Sequence, residues 1–202
     1  MKRRERNFIL AVITVSPMLL ALAGCASPTP SFYTLGSASE PESHQGVALY
    51  SVAIGPVTVP SMVDRPQIVL NTGPNRVSIA EESRWAEPLK ESIPRAMADY
   101  LSRELPEAYV SAYPSMPISD PDYRVLIDVQ RFDSLQGEAA TIDILWVVNA
   151  GKDGTQTTGR SYRREPANGG DYAALVAAHQ RALDAVSRDI AAVIKEKRTP
   201  PR

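Results

Sequence analysis

Beyond residue 25 this 202-residue chain has no cysteine, because its one thiol is Cys25. Disulfide scaffolds and cysteine-based metal sites are thereby excluded, and packing must hold the fold. Histidine is almost as scarce. His44 lies in a polar stretch and His179 falls on the apolar face of the last helical pattern, too few for a histidine-ligated metal centre or a nucleophilic triad. His179 reads as a core or interface residue. An excess of positive charge is missing as well: the formal net charge is -1, which leaves no electrostatic footprint for nucleic acid. There is no G-x-S-x-G, no S-x-x-K and no phosphate loop, since Gly151-Lys152-Asp153 lacks the following serine or threonine and the glycine spacing. Asp120-Pro121-Asp122 and Glu81-Glu82 offer paired carboxylates, but both stand beside turn signals where solvated charge is the ordinary reading. A catalytic role has no nameable nucleophile and base, and a non-enzymatic protein is expected.

Long hydrophobic runs are missing except at the start. Lys2, Arg3, Arg4 and Arg6 form a basic segment, and the 16 residues from Phe8 to Ala23 carry no charge. That run is shorter than the ~20 apolar residues that span a bilayer, and Pro17 interrupts it. A secretory signal over residues 1–24 is the better reading. It ends in Leu22-Ala23-Gly24-Cys25, a lipobox: Cys25 accepts diacylglycerol as a thioether, cleavage frees its amine, and an N-acyl chain such as palmitate completes the anchor. Each buried methylene contributes about 0.8 kcal/mol, so three chains hold the protein permanently on a membrane without spanning it. These covalent lipids are the expected attachments; no metal or other cofactor is implied. Ala26 stands where an aspartate would signal inner-membrane retention, so the expected address is the periplasmic face of an outer membrane. Losing four positive charges and Glu5 takes the mature chain from -1 to -4.

The mature chain suits one domain, expected over residues 32–197, with a Pro/Ser tether at 25–31 and a frayed tail at 198–202. The seven residues from Cys25 to Phe32 reach at most about 25 Å. Strands are expected at Phe32–Leu35, at Tyr50–Val59 with a bend at Gly55-Pro56, as a hairpin through Ile68–Leu70 and Arg76–Ala80, and at Tyr109–Tyr113. Two more alternate through Tyr123–Val129 and Ile142–Val148, and Asp153-Gly154 turns the latter into a polar edge strand over Thr155–Arg164. A helical stripe is read from Trp85 through Leu89, Ile93, Ala96, Tyr100 and Leu101, with Pro94 expected to kink it or delay its start. A long amphipathic helix follows Asp171, its N-cap. The expected class is α+β, a mixed and largely antiparallel sheet with two main helices on one face.

Three blocks carry a resemblance: S-F-Y-T-L at 31–35, V-D-R-P-Q-I-V at 63–69 and R-W-A-E-P-L at 84–89. Together with the lipobox they make the chain similar to the PqiC/YmbA group of ABC-type transport auxiliary lipoproteins. The resemblance implies a periplasm-facing outer-membrane lipoprotein working with an MCE-domain protein of the PqiB type, in a system that moves lipid between membranes and supports envelope integrity. Assembly into a ring or other homo-oligomer is compatible with it. Asp64, Arg65, Pro66 and Gln67 then become candidate partner contacts, Arg65 because a guanidinium beside a rigid proline suits a bidentate contact. The bland alternative, that Asp64 and Arg65 only bond within their own turn, weighs about the same. Trp85, Glu87 and Pro88 read rather as fold builders, the tryptophan in the core and the other two at a helix start. Rival functions are a lipid-binding shuttle, which requires a sizeable apolar cavity, and an activator of a cell-wall synthase, which requires a tether longer than this one.

Overall fold

The computed structural model describes residues 29–36, 47–113, 120–151 and 154–198. The signal segment, the lipobox, Cys25 and the His44 stretch lie outside the described residues. Strands β1 (Ser31–Tyr33), β2 (Tyr50–Thr58), β3 (Gln67–Gly73) and β4 (Arg76–Trp85) precede helix α1 (Leu89–Glu104). Strands β5 (Ala108–Ala112), β6 (Tyr123–Leu135), β7 (Ala139–Ala150) and β8 (Gln156–Pro166) follow, and α2 (Tyr172–Arg198) closes the chain.

The class is α+β and the sheets are mixed, as the pattern predicts, but there are two of them: β1-β4-β3 and β5-β2-β6-β7-β8. The longest ladders, β6 with β7 and β7 with β8, are antiparallel. Strand β2 runs parallel to both β5 and β6. Its crossover through the β3–β4 hairpin and α1 returns the chain to the same end of the sheet. Helix α1 lies over β2 and β5, α2 lies over β7 and β8, and the helices touch each other. Between them and the sheet sits the core, with Val52, Ile54, Val125, Ile142, Ile144 and Val148 fully covered from below and Ile93, Met97, Leu183 and Ile190 from above. Alternation on β6 and β7 supplies one side and a 3.6-residue period the other.

Local details follow the sequence closely. Gly55 has φ 108, a region glycine alone enters freely, and the β2–β6 register shifts between Ile54 and Val57. Asp171 caps α2, its Oδ1 accepting from the Ala174 N–H at 2.7 Å. Strand β8 is an edge, as its polarity suggests. Arg198 belongs to α2 and not to a frayed tail: its guanidinium lies 3.6 Å from the Tyr50 ring centroid. Pro94 does not delay its helix, which starts at Leu89 and runs through the proline. Among the described residues no helix is long and apolar enough to cross a membrane.

Trp85 is the clearest correction. It ends β4 and does not open α1, whose N-cap is Pro88. Its spacing to Leu89 fits a helix, but pairing with β1 and a long-range hydrogen bond from its amide to the Pro66 carbonyl (2.7 Å) hold it extended. Tertiary pairing outweighs periodicity here.

Candidate functional site

A three-residue strand cannot stand by itself, and β1 is held from three directions. It pairs parallel with the end of β4, Phe32 opposite Arg84 and Tyr33 opposite Trp85. The Ala86 N–H donates to the Tyr33 carbonyl at 2.8 Å, and Gln180 Nε2 of α2 donates to the Thr34 and Gly36 carbonyls at 3.3 and 2.9 Å. Leu35 is fully buried behind it. Because Trp85 also bonds Pro66, and Gln67 pairs with Arg84, the segments 31–35, 63–69 and 84–89 meet at one corner, where β4 hands over to α1.

The candidate partner contacts separate there. Asp64 is bound at 2.5 Å by Lys90 of α1, and Gln67 Nε2 donates to Glu81 at 3.2 Å. Pro66 gives its carbonyl to Trp85. Arg65 is exposed and, among the described residues, its guanidinium has no hydrogen-bond or ion-pair partner. Glu87 pairs with Arg95, and Pro88 receives the first two amide bonds of α1, from Glu91 and Ser92 at 2.9 and 3.0 Å. Of the paired carboxylates, Asp122 accepts from the Ser51 amide and hydroxyl, both at 2.9 Å, tying the start of β6 to β2, while Glu81 and Glu82 are exposed.

Between β1 and α1 lies an open cavity of about 280 Å³, lined by residues 33–36, Trp85, Glu87, Ser92, Arg95 and Asp99. Ser92, Arg95 and Asp99 share one face of α1 through i, i+3, i+7 spacing. Arg95 is occupied by Glu87 and more loosely by Glu91 at 3.8 Å. Ser92 is buried and its hydroxyl has no hydrogen-bond partner among the described residues. Burial lifts the Asp99 carboxyl above its usual range, with Arg103 opposing. None of these three helix residues was a sequence candidate. Their spacing is ordinary for an amphipathic helix, and the opposite wall comes from a remote strand.

Behind the cavity, Trp85 is packed edge-on against Phe132 and His179, with centroids 5.9 and 6.2 Å away. His179 stacks flat on Phe132 at 4.0 Å and its Nε2 meets Ser134 Oγ at 2.8 Å. Burial alone pushes its pKa down to about 3, so the ring is neutral. Among the described residues no group of three or more His, Cys, Asp or Glu could hold a metal. The corner offers a half-buried tyrosine ring, a carboxylate and a nearby guanidinium unpaired among the described residues, which is equipment for binding.

Comparison with solved structures supports the fold. A crystal structure of an uncharacterized protein is 22% identical, covers 83% of this chain and 99% of its own, and superposes with a TM-score of 0.69. A Xanthomonas campestris protein of the DUF330 family is 20% identical over 81% of this chain and 90% of its own, with a TM-score of 0.57. No curated protein matches. The model of one family, described as the ABC-type transport auxiliary lipoprotein component, matches residues 33–191, a span that contains both sheets except the first residues of β1, all of α1, and α2 except its last seven residues. The chain belongs to the ABC-type transport auxiliary lipoprotein family.

Proposed function

We propose that this protein is a non-catalytic subunit, anchored through Cys25 on the periplasmic face of the outer membrane, that docks an MCE-domain PqiB-like transport protein and so supports lipid movement between the membranes. The observation that carries the docking reading is the corner itself: 31–35, 63–69 and 84–89 converge on one surface that keeps Arg65 exposed and unpaired among the described residues. Family membership implies a transporter to serve. A lipid shuttle is disfavoured because the cavity at this corner, about 280 Å³, carries Glu87, Arg95 and Asp99, whereas acyl chains call for an apolar sleeve. Strand β1 begins six residues after Cys25, which keeps the domain against its membrane and disfavours a cell-wall partner across the periplasm. A homo-oligomeric assembly, read by native mass spectrometry, belongs to the same proposal.

Two results test it. Cys25→Ala is expected to abolish acylation and move the protein from the membrane fraction to the soluble periplasm; unchanged membrane partition would remove the anchor from the proposal. Arg65→Glu is expected to reduce in-cell crosslinking to the PqiB-like partner about tenfold or more, because an exposed contact has been reversed in charge, while the thermal midpoint stays within about 2 °C. Equal crosslinking at equal stability takes Arg65 out of the contact.

A further inference from the structure

The cavity between β1 and α1 carries a charge imbalance. Arg95 is engaged by Glu87, by Glu91 and by the Glu91 carbonyl, to which its Nε donates at 3.0 Å, so its positive charge is spent locally. Asp99, one helical turn further on the same face, forms no hydrogen bond or ion pair among the described residues; Arg103, the cation nearest along α1, attracts it but is shared with Asp184, which it meets at 3.9 Å, and with the Tyr100 ring. Ser92, 8% exposed, adds a hydroxyl without a partner among the described residues. Across from these, residues 33–36 and Trp85 complete the lining; Tyr33 is half-buried, whereas Trp85 and Leu35 are buried.

We infer that this cavity receives a lysine or arginine side chain from a partner protein. The half-buried Tyr33 ring attracts a cation, and the exposed Asp99 carboxylate accepts its N–H donors, with the buried Ser92 hydroxyl just behind them. Asp99 is exposed at the cavity mouth, and an incoming positive charge adds to the attraction that Arg103 already exerts against its partial desolvation. The volume suits one long side chain and not a folded peptide. The inference rests on the docking reading for its partner, but its chemistry stands on the cavity.

The test titrates the acylated protein in detergent with Nα-acetyl-lysine methylamide, Nα-acetyl-arginine methylamide and the uncharged norleucine counterpart, following the amides of Tyr33, Leu35 and Ser92 and the Trp85 indole by NMR. Saturable shifts with a basic probe, at least about tenfold weaker with norleucine and in Asp99→Asn, are expected. Asp99→Glu should keep most of the binding and Ser92→Ala part of it, all at unchanged thermal midpoints. Absence of saturation, equal binding of norleucine, or full binding by Asp99→Asn would overturn the inference. In parallel, in-cell crosslinking of wild type and Asp99→Asn separates the two readings. Basic probes that bind while no PqiB-like partner is ever captured defeat the docking reading and leave the cavity's ligand class intact; capture without probe binding does the reverse.

Discussion

Gly159→Ala is expected to destabilise the domain by about 2–4 kcal/mol, although it adds one methyl group to an edge strand. Gly159 of β8 stands directly opposite Trp146 of β7, and the indole lies across it. A Cβ built at 159 would sit 2.1 Å from Trp146 Cζ2, a distance at which something must move. The indole has little freedom. Trp146 is 6% exposed, and its Nε1 donates to Ser161 Oγ at 3.0 Å. Ser161 in turn donates to Asp189 of α2, which Arg163 also grips, so one chain of hydrogen bonds joins β7, β8 and α2. Shifting the ring disturbs all of them, and the coupling makes the site costlier than its volume alone suggests. For a domain of this size the midpoint falls by roughly 2–4 °C per kcal/mol, hence on the order of 10 °C in total. Urea unfolding gives the free energy directly. Gly170→Ala is the control, since a Cβ there meets nothing within 4 Å, and it should change stability by less than about 0.5 kcal/mol. Trp146→Phe deletes the ring edge that collides, so Gly159→Ala should cost much less in that background. Additive costs in the double variant would show that the clash is not the cause.

That pairing illustrates what a single sequence conceals. Alternation through Ile142, Ile144, Trp146 and Val148 announces the strand, and Asp153-Gly154 announces the return, but nothing in the sequence says that the indole needs a glycine across the ladder. Legible features were those settled within one element: the period of α2, its cap at Asp171, the bend at Gly55-Pro56, the polarity of β8. Features that depend on which element meets which were not. Trp85 obeys a helical period and still ends a strand, because β1 and Pro66 compete for its backbone. One sheet was expected and two formed: β3 packs beside β6 but pairs in the smaller sheet, and Asn71 Oδ1 accepts from the Ser134 amide at 3.0 Å. The candidate site divides along the same line. Arg65 could be singled out beside its proline, whereas Ser92, Arg95 and Asp99 acquire meaning only when residues 33–36 arrive opposite them.

The aromatic cluster behind the site leads to the other large effect, an acid sensitivity that one buried ring imposes. His179 is fully buried and its pKa is lowered to about 3, whereas in the unfolded chain it is near 6.5. Below 6.5 the unfolded state therefore binds a proton that the folded state refuses, and stability falls with pH by about 1.4 kcal/mol per unit until the folded pKa is reached. The loss attributable to His179 is about 2 kcal/mol at pH 5 and on the order of 4–5 kcal/mol near pH 3. Its cause is desolvation: one ring nitrogen meets Ser134, the other has no partner among the described residues, and Phe132 lies flat against the face at 4.0 Å. His179→Gln isolates this contribution from the carboxylates, which titrate equally in both proteins. The variant should be the less stable at pH 7.5, having lost the stacking, and should gain on wild type steadily below pH 6.5, the gap closing by about 1.4 kcal/mol per unit. Parallel stability curves between pH 6.5 and 4.5 would mean that the folded protein accommodates the imidazolium, through water or a movement of Phe132. Because the same ring supports Trp85 from behind, such a movement would reach the wall of the cavity, and the basic-probe titration repeated at pH 5 would register it.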